Sequence, residues 1–325
     1  MGEISGRRAE EVAGRPLTPA GAPSHDRPGA LWRPLSLVLE PYWYVGPGLI
    51  LIALVMIVPL IVGIGYSFQN IQILNPFKTG WVGLQHYRDL LHDQVFWHAL
   101  TNTLWWTFGS LTIQFALGLG LALLLSEPFL GRRLVQALVF LPWAVPSFIS
   151  GLAWAWLFNP IIGPLPHWLY AIGMLSSPDN ILADPAIAMW GPITANVWWG
   201  VPFFAITLLA ALQAIPGEMY EAASIDGAGP WMRFLHVTLP YLAPTIAITV
   251  LLRTIWISNF ADLIVVMTGG GPANATQILP SYIFTTAYKK LDFGYAATIS
   301  MALLLLLFLY AAVLIRLRRN LRSTG

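Results

Sequence analysis

The stretch that decides the fold is YAATISMALLLLLFLYAAVLI, residues 295–315, which has no charged side chain over twenty-one positions. A helix rises about 1.5 Å per residue, so about 20 apolar residues cross the roughly 30 Å hydrocarbon core of a bilayer. Five other runs have a similar length and character: residues 45–68, 103–125, 134–158, 193–215 and 241–267. The sequence therefore predicts an all-α integral membrane protein with six transmembrane helices.

The composition of the whole chain agrees with a membrane protein. Of its 325 residues, 57% are hydrophobic and 10% are charged, and the mean hydropathy is +0.66. A soluble domain carries about 25% charged residues, so most of this surface does not face water. The formal charge of +2 is too small to indicate a nucleic-acid partner. The absence of cysteine excludes disulfides, thiolate metal sites and a cysteine nucleophile.

The first 41 residues differ from the rest of the chain. They are rich in arginine, proline and glycine and lack apolar periodicity. This pattern predicts a disordered tail over residues 1–41 and a transmembrane domain over residues 42–325. Arg7 and Arg8 could begin a twin-arginine export signal. We reject that interpretation because no apolar stretch ending in a small-residue cleavage site follows them.

The basic residues predict the orientation of the spans. Cytoplasmic segments of membrane proteins carry an excess of Lys and Arg. With the N-terminus inside, twelve such residues lie on the cytoplasmic side and four lie outside, so both termini are predicted to be cytoplasmic. The inside residues are Arg7, Arg8, Arg15, Arg27, Arg33, Arg132, Arg133, Arg233, Arg316, Arg318, Arg319 and Arg322, and the outside residues are Lys78, Arg88, Lys289 and Lys290.

The inner segment at residues 216–240 has a pattern that a plain linker does not need. Residues 218–225 can form two turns of helix, and Gly227 supplies the conformational freedom to end that helix. Pro230 suits the first turn of a second helix, and Leu239-Pro240 is expected to turn the chain into the fifth span. The sequence therefore predicts a short helix, a sharp bend and a second short helix on the cytoplasmic side.

This segment resembles the EAA loop of binding-protein-dependent ABC importer permeases. The family pattern contains Glu-Ala-Ala, Asp-Gly-Ala and Leu-Pro, and the residues that match it are Glu221, Ala222, Ala223, Asp226, Gly227, Ala228, Leu239 and Pro240. Val237 stands where isoleucine is commoner, which is a mild departure. In that family the loop docks into a cleft of a cytoplasmic ATPase subunit. The resemblance implies a type I ABC importer permease fold, in which residues 216–240 are the coupling loop.

Other stretches are similar to the carbohydrate, or maltose-type, branch of that family. They include residues 82–87, 259–262, 268–272, 282–284 and 294–297, and the resemblance covers residues 40–320. It implies a sugar or sugar-derived solute that an extracytoplasmic binding protein delivers. It also implies a homologous second permease and two cytoplasmic ATPase subunits as partners, in the lipid bilayer of a bacterial inner membrane. The sequence does not identify the solute or say whether it is neutral or anionic.

The chain lacks the motifs of an enzyme. It has no Gly-x-x-x-x-Gly-Lys-[Ser/Thr] cradle for ATP phosphates, and its six histidines are scattered, which argues against a metal site. We therefore predict no catalytic residue and no cofactor in this chain. The resemblance implies that partner ATPase subunits bind ATP and magnesium.

Two other functions were weighed against an importer permease. A secondary transporter would couple to ions through carboxylates inside its spans, and the predicted spans contain only Asp262. A membrane-bound enzyme would need clustered polar groups at one interface, and the sequence has no such set. The permease is the favoured interpretation.

The fifth predicted span contains the candidate solute path: Arg253, Trp256, Asn259 and Asp262. Polar groups within a span usually face a cavity or a partner, and an aromatic surface beside an amide suits a sugar. On a straight helix, Arg253 and Asp262 lie on opposite sides, about 13 Å apart along the axis. Arg253 is therefore expected to find a backbone carbonyl, a neighbouring chain or an anionic solute group. The alternative role of all four residues is to stabilise the interface between two permeases.

Overall fold

The computed structural model describes residues 35–75, 77, 79–177 and 181–323, and helices make up most of this part. The predicted tail at residues 1–34 lies outside the described residues. Residues 35–41 belong to the first helix, so the helical part begins before the predicted boundary at residue 42. The leucines and valine in LSLVL, residues 35–39, are compatible with a helix, which explains the earlier start.

The α-helices form the following series: α1 Leu35–Ile52, α2 Val58–Tyr66, α3 Gln85–His92, α4 Gln94–Ser126, α5 Arg132–Ala144, α6 Ser147–Leu157, α7 Pro164–Ala171, α8 Trp190–Gln213, α9 Gly217–Ile225, α10 Pro230–Arg233, α11 Leu239–Ser258, α12 Asp262–Met267, α13 Leu279–Phe284 and α14 Phe293–Ser323. Wider π-helical turns, Ala53–Ile57, Phe234–Thr238 and Thr285–Lys289, connect several of them. Two short antiparallel strands, β1 Gln69–Asn70 and β2 Gly80–Trp81, precede α3.

Within the described residues, five helical segments are long and apolar enough to cross a membrane. They are Tyr42–Tyr66, Gln94–Ser126, Trp190–Gln213, Pro230–Met267 and Phe293–Arg316. The helix pair α5 and α6 makes a sixth when it is counted as one span. The six predicted runs therefore coincide with helical segments in the structure.

The third span is bent, which corrects the expectation of one helix over residues 134–158. The helix axis bends by 96° between α5 and α6, and neither helix alone is long enough to cross the bilayer. Val145, between them, has an extended backbone and precedes Pro146. A proline disfavours the helical conformation of the residue before it and has no N–H to donate, so the helix ends at this point.

The fifth span differs from the expected helix at both of its ends. The chain does not turn at Leu239-Pro240, because the π-helical turn Phe234–Thr238 joins α10 directly to α11. The wider turn accommodates a proline ring that would collide with an ordinary preceding turn. Near the other end, α11 stops at Ser258 and α12 begins at Asp262. The assumption of one straight helix over residues 241–267 is therefore wrong.

The core of the compact unit formed by residues 60–325 is centred on the packing of α4 against α8. Helix α4 buries a row of small or polar residues that includes Ser110, Gln114 and Gly118. A β-carbon on Gly118 would overlap the Cβ of Phe204 on α8, so the close approach of the two backbones requires glycine. Small residues at such crossings allow membrane helices to pack closely.

A carboxylate anchors the end of α4 that lies opposite residues 216–240. Asp93 caps this helix by accepting a hydrogen bond from the Val95 amide at 2.8 Å. Its other oxygen accepts bonds from the hydroxyls of Tyr282 and Tyr295, each at 2.7 Å. Burial opposes the ionisation of Asp93, but these bonds and one from the Phe96 amide outweigh burial and hold its pKa below the usual value. One side chain thereby joins α4, α13 and α14.

Candidate functional site

The segment at residues 216–240, called the coupling loop after its predicted role, has the predicted helix, bend and second helix. Helix α9 is closed by Gly227, which lies two residues beyond its last residue and has a left-handed backbone with φ +78°. The amide of Ala228 donates to the carbonyl of Ala223 at 2.9 Å, and that of Gly227 donates to the carbonyl of Ser224 at 3.1 Å. These two bonds are the pattern by which a glycine closes a helix. A β-carbon at Gly227 would meet no atom within 4 Å, so the requirement for glycine is conformational.

The two sides of α9 have different surroundings. Tyr220 and Ala223 pack against the core, whereas Glu221 and Ala222 are exposed. Ile225, at the end of the same helix, is 87% exposed. The loop therefore presents a carboxylate, a small residue and an isolated apolar side chain to its surroundings. Of the other residues in the predicted set, Asp226 and Pro240 are exposed and Leu239 is half-buried.

Two side-chain contacts hold α9 against the following helices. The hydroxyls of Tyr220 and Thr238 lie 3.0 Å apart and share a hydrogen bond, and Arg233 donates to the Ser224 hydroxyl at 3.2 Å. Sequence reasoning missed these four residues as parts of the loop. Arg233 was used only to assign topology, and the others carry no motif. The signal that could have indicated them is their position. Each pair has one member on α9 and the other on the segment after Gly227.

An open cleft of about 780 Å³ lies beside the coupling loop. It is bordered by the ends of α4 and α8 and by the helices that follow Gly227. The cleft has room for side chains of another protein. Its lining residues are Leu123, Ser126, Glu127, Leu212, Tyr220, Pro230, Trp231, Arg233, Phe234 and Thr238.

A second cavity, of about 280 Å³, lies where α11 ends against α8. We call it the aromatic cavity, and its lining residues are Asn196, Trp199, Arg253, Ile255, Trp256, Ile257, Asn259 and Phe260. Three of the four predicted path residues, Arg253, Trp256 and Asn259, line this cavity. Asn259 lies just beyond the end of α11 and donates to the Ile255 carbonyl at 2.9 Å.

Arg253 is nearly enclosed by protein, with 2% of its surface exposed. Its Nε donates to Oε1 of Gln114 at 2.8 Å. The guanidinium carbon lies 5.3 Å from the ring centre of Trp199 and 5.8 Å from that of Phe203. Its observed partner is thus a side-chain amide, which was not among the three expected kinds. Gln114 lies 139 residues earlier in the chain, so nothing near Arg253 in the sequence could have indicated it.

Asp262 lies apart from the other three candidate path residues. It is exposed, starts α12 and accepts a short hydrogen bond from the Ser147 hydroxyl. It is not among the residues that line the aromatic cavity. The helix break at residues 259–261 separates it from Asn259. The structure therefore brings Arg253, Trp256 and Asn259 together and leaves Asp262 beside the start of α6.

Comparisons with known proteins agree with the predicted family. Residues 93–322 match the family described as binding-protein-dependent transport system inner membrane component. The trehalose/maltose transport system permease protein MalF of Thermococcus litoralis is 36% identical over 278 residues, which cover 86% of this chain and 93% of that relative. The sulfoquinovosyl glycerol transport system permease protein SmoG of Agrobacterium fabrum is 31% identical, over 89% of this chain and 93% of the relative.

A solved structure has the same fold. It is a bacterial ABC transporter involved in the import of the acidic polysaccharide alginate, and one of its chains matches with a TM-score of 0.75. The match covers 88% of this chain and 98% of that chain at 23% identity. At this identity the likeness establishes the arrangement of helices alone.

Proposed function

The chain belongs to the family of binding-protein-dependent transport system inner membrane components, and from that premise we propose that it is a sugar-importer permease driven by partner ATPases. Family membership makes it a multi-pass membrane transport subunit rather than an enzyme. The likeness in fold to the alginate importer chain confirms the predicted permease architecture. The observation that carries the proposal is the family match over residues 93–322, which includes both the coupling loop and the aromatic cavity.

The proposed solute is a sugar or a sugar derivative. Its support is that two relatives with more than 30% identity are named for trehalose/maltose and sulfoquinovosyl glycerol transport. The aromatic cavity adds a chemical reason. Trp256 is 46% exposed and lies near the exposed Asn259, so the cavity offers an indole face for the C–H surface of a sugar and an amide for its hydroxyls.

The coupling loop is proposed to transmit the action of the ATPases. The residues proposed for this contact are Glu221, Ala222, Ala223, Asp226, Gly227, Ala228, Leu239 and Pro240. The exposed side of α9 supports the proposal, since Ile225 is a large apolar side chain with no cover in this chain. The contacts of Tyr220 and Arg233 would make the loop move with α10 and α11 as one body. A push on α9 would then reach the aromatic cavity through α11.

Partner chains complete the transporter in this proposal. A second permease forms the other wall of the path, two cytoplasmic ATPases bind ATP and magnesium, and a binding protein delivers solute from outside. ATP binding favours one orientation of the path because the ATPases contact the coupling loop differently in each state. Trp256 and Asn259 contact the solute, and Asp262 lies farther along the path. The membrane is the bacterial inner membrane, with both termini in the cytoplasm.

Reconstitution tests the proposed function. The chain is placed in proteoliposomes with its second permease, ATPase and binding protein, and uptake of labelled trehalose, maltose and other oligosaccharides is measured. We expect uptake of at least one sugar that requires hydrolysable ATP and the binding protein. Uptake that continues without ATP and follows a proton or sodium gradient would instead establish a secondary transporter.

Reporter fusions test the orientation separately. A reporter after Gly325 should be active in the cytoplasm, and one inserted at residues 176–179 should be active outside. The expectation rests on the excess of basic residues at the proposed inner side. The opposite location at either site would contradict the proposed topology.

A further inference from the structure

Four aromatic rings and one guanidinium form a continuous series beside the aromatic cavity. Trp256 contacts Phe203 with ring centres 5.2 Å apart, and Trp199 stacks on Phe260 at the same distance. The guanidinium of Arg253 lies within 6 Å of both Phe203 and Trp199, which is the range of a cation–π contact. Arg253 therefore contacts one ring of each pair. The other ring of each pair, Trp256 on α11 or Phe260 just beyond it, lines the cavity.

Arg253 lines the cavity but has little exposed surface of its own. Its Nη2 is fully buried and has no hydrogen-bond partner among the described residues, and the residue as a whole is 2% exposed. By contrast, Trp256 is 46% exposed. The indole of Trp256 therefore offers a solute far more surface than Arg253 does. The rings of Trp199 and Phe203 and the side-chain amide of Gln114 lie next to the buried guanidinium.

The position of the guanidinium depends on a glycine in a neighbouring helix. A β-carbon on Gly200 of α8 would overlap both Nη2 of Arg253 and Oε1 of Gln114. Gln114 in turn donates to the backbone carbonyl of Asn196 at 3.0 Å. The guanidinium is therefore fixed by α4 and α8 at the point where these helices leave room for it.

We propose that Arg253 is a positioning residue that acts through Phe203 and Trp199 to fix the rings of Trp256 and Phe260 for solute binding. The inference rests on the proposed function of the aromatic cavity. It assigns to Arg253 no direct bond with the solute. It differs from a role as counter-ion to an anionic solute, because it depends on the planar shape of the guanidinium as well as on its charge.

A spectroscopic test needs no solute. The importer is labelled with 5-fluorotryptophan, and the fluorine resonance of Trp256 is assigned with the Trp256→Phe variant. Gly200→Ala should shift or broaden that resonance, because it displaces the guanidinium while the sequence of α11 stays unchanged. Gly120→Ala is the matched control, since Gly120 has no atom within 4 Å of an added β-carbon. An unchanged Trp256 resonance in Gly200→Ala would overturn the proposal.

A binding test with trehalose as the probe separates the effect of the guanidinium's planar shape from the effect of its charge. Arg253→Lys keeps the charge but loses the planar group, and we expect it to weaken trehalose binding to the assembled importer about tenfold. Gly200→Ala should weaken binding in the same direction. The double variant should be little worse than either single one, because both changes remove the same arrangement. The maximal transport rate per assembled complex should stay within about twofold.

Failure of the inference about Arg253 and failure of the proposed function would give different results. A wild-type importer that neither binds nor transports sugars would contradict the proposed function, while the fluorine experiment would still decide the role of Arg253. If Arg253→Lys binds trehalose like wild type and Arg253→Gln does not, the charge alone matters and the proposal is wrong. If both variants lose only assembly, with unchanged binding in the complexes that form, Arg253 is merely structural and the proposal is also wrong.

Discussion

The coupling loop is held together by neighbours in the sequence, whereas the aromatic cavity is assembled from helices that are far apart in the chain. In the loop, Arg233 reaches Ser224 across nine residues. Beside the cavity, Arg253 reaches Gln114 across 139 residues. A local unit can be altered without disturbing the packing of the spans, and a dispersed one cannot be altered without affecting several helices. The two regions should therefore fail in different ways when they are mutated.

The largest effect is expected from Gly227→Val in the coupling loop. Valine is β-branched and strongly disfavours the left-handed conformation at this position. We expect solute-stimulated ATPase activity and transport to fall more than tenfold, while the chain remains assembled with the second permease and still binds the test sugar, which is trehalose if the wild-type importer takes it up. Gly217→Val is the control, because this glycine in the same loop has no left-handed backbone and no close neighbour. Equal loss in both variants would show that bulk, and not backbone conformation, matters.

A charge change on the exposed side of α9 should have a smaller effect. Glu221→Lys reverses one exposed charge without touching the core, so it should weaken ATPase docking about tenfold at low salt and less at high salt. The affinity is measured between the purified permease pair and the isolated ATPase. Glu221→Gln is the control, and its affinity for the ATPase should lie between those of wild type and Glu221→Lys. Unchanged docking by Glu221→Lys would remove this residue from the proposed contact.

Substitutions in the cavity should impair binding and spare coupling. Trp256→Ala removes the exposed indole, and we expect trehalose binding to weaken about tenfold. Asn259→Ala should weaken it several-fold, because one hydrogen-bonding amide is lost. Once trehalose is saturating, both variants should stimulate ATPase activity nearly as well as wild type. Unchanged binding by both would mean that the solute path lies on another surface.

The smallest effect is a pH dependence outside both regions. The pKa of Asp93 is lowered in the folded protein, so its stabilising contribution is fully present above the unfolded value, about 3.9. That contribution is lost as the pH falls from there through the lower folded value. We expect the melting temperature of the wild-type importer to fall more steeply than that of Asp93→Asn, by a few degrees, as the pH drops below about 4. Parallel curves would contradict the assigned role of this carboxylate.

The sequence predicted the features that depend on local chemistry. Span lengths follow from apolar runs, and the end of α9 follows from Gly227, because a single backbone conformation decides it. The bend at Pro146 and the continuous helix through Pro240 show the limit of this reasoning. Pro146 lies within an apolar run and Pro240 directly precedes one, but the first ends its helix and the second follows a π-helical turn that accommodates it. Which outcome occurs depends on the packing around each proline.

The aromatic cavity shows a different limit. The polar residues of α11 could be recognised, since they lie within an apolar run. Their partners Gln114, Trp199 and Gly200 could not, because they lie on other helices and belong to no motif. The expected partners of Arg253 did not include Gln114, because that expectation came from considering one helix alone. A single sequence contains no information on which helices become neighbours at this point.

The most direct test of the account measures binding and ATPase stimulation in the same preparations of Gly227→Val and Trp256→Ala. The account predicts that Gly227→Val binds trehalose with wild-type affinity but shows no solute-stimulated ATPase activity. It predicts that Trp256→Ala binds about tenfold more weakly but reaches wild-type stimulation when trehalose is saturating. If each variant instead lost both properties while remaining folded and assembled, the loop and the cavity would not be separate functional units and the account would be contradicted.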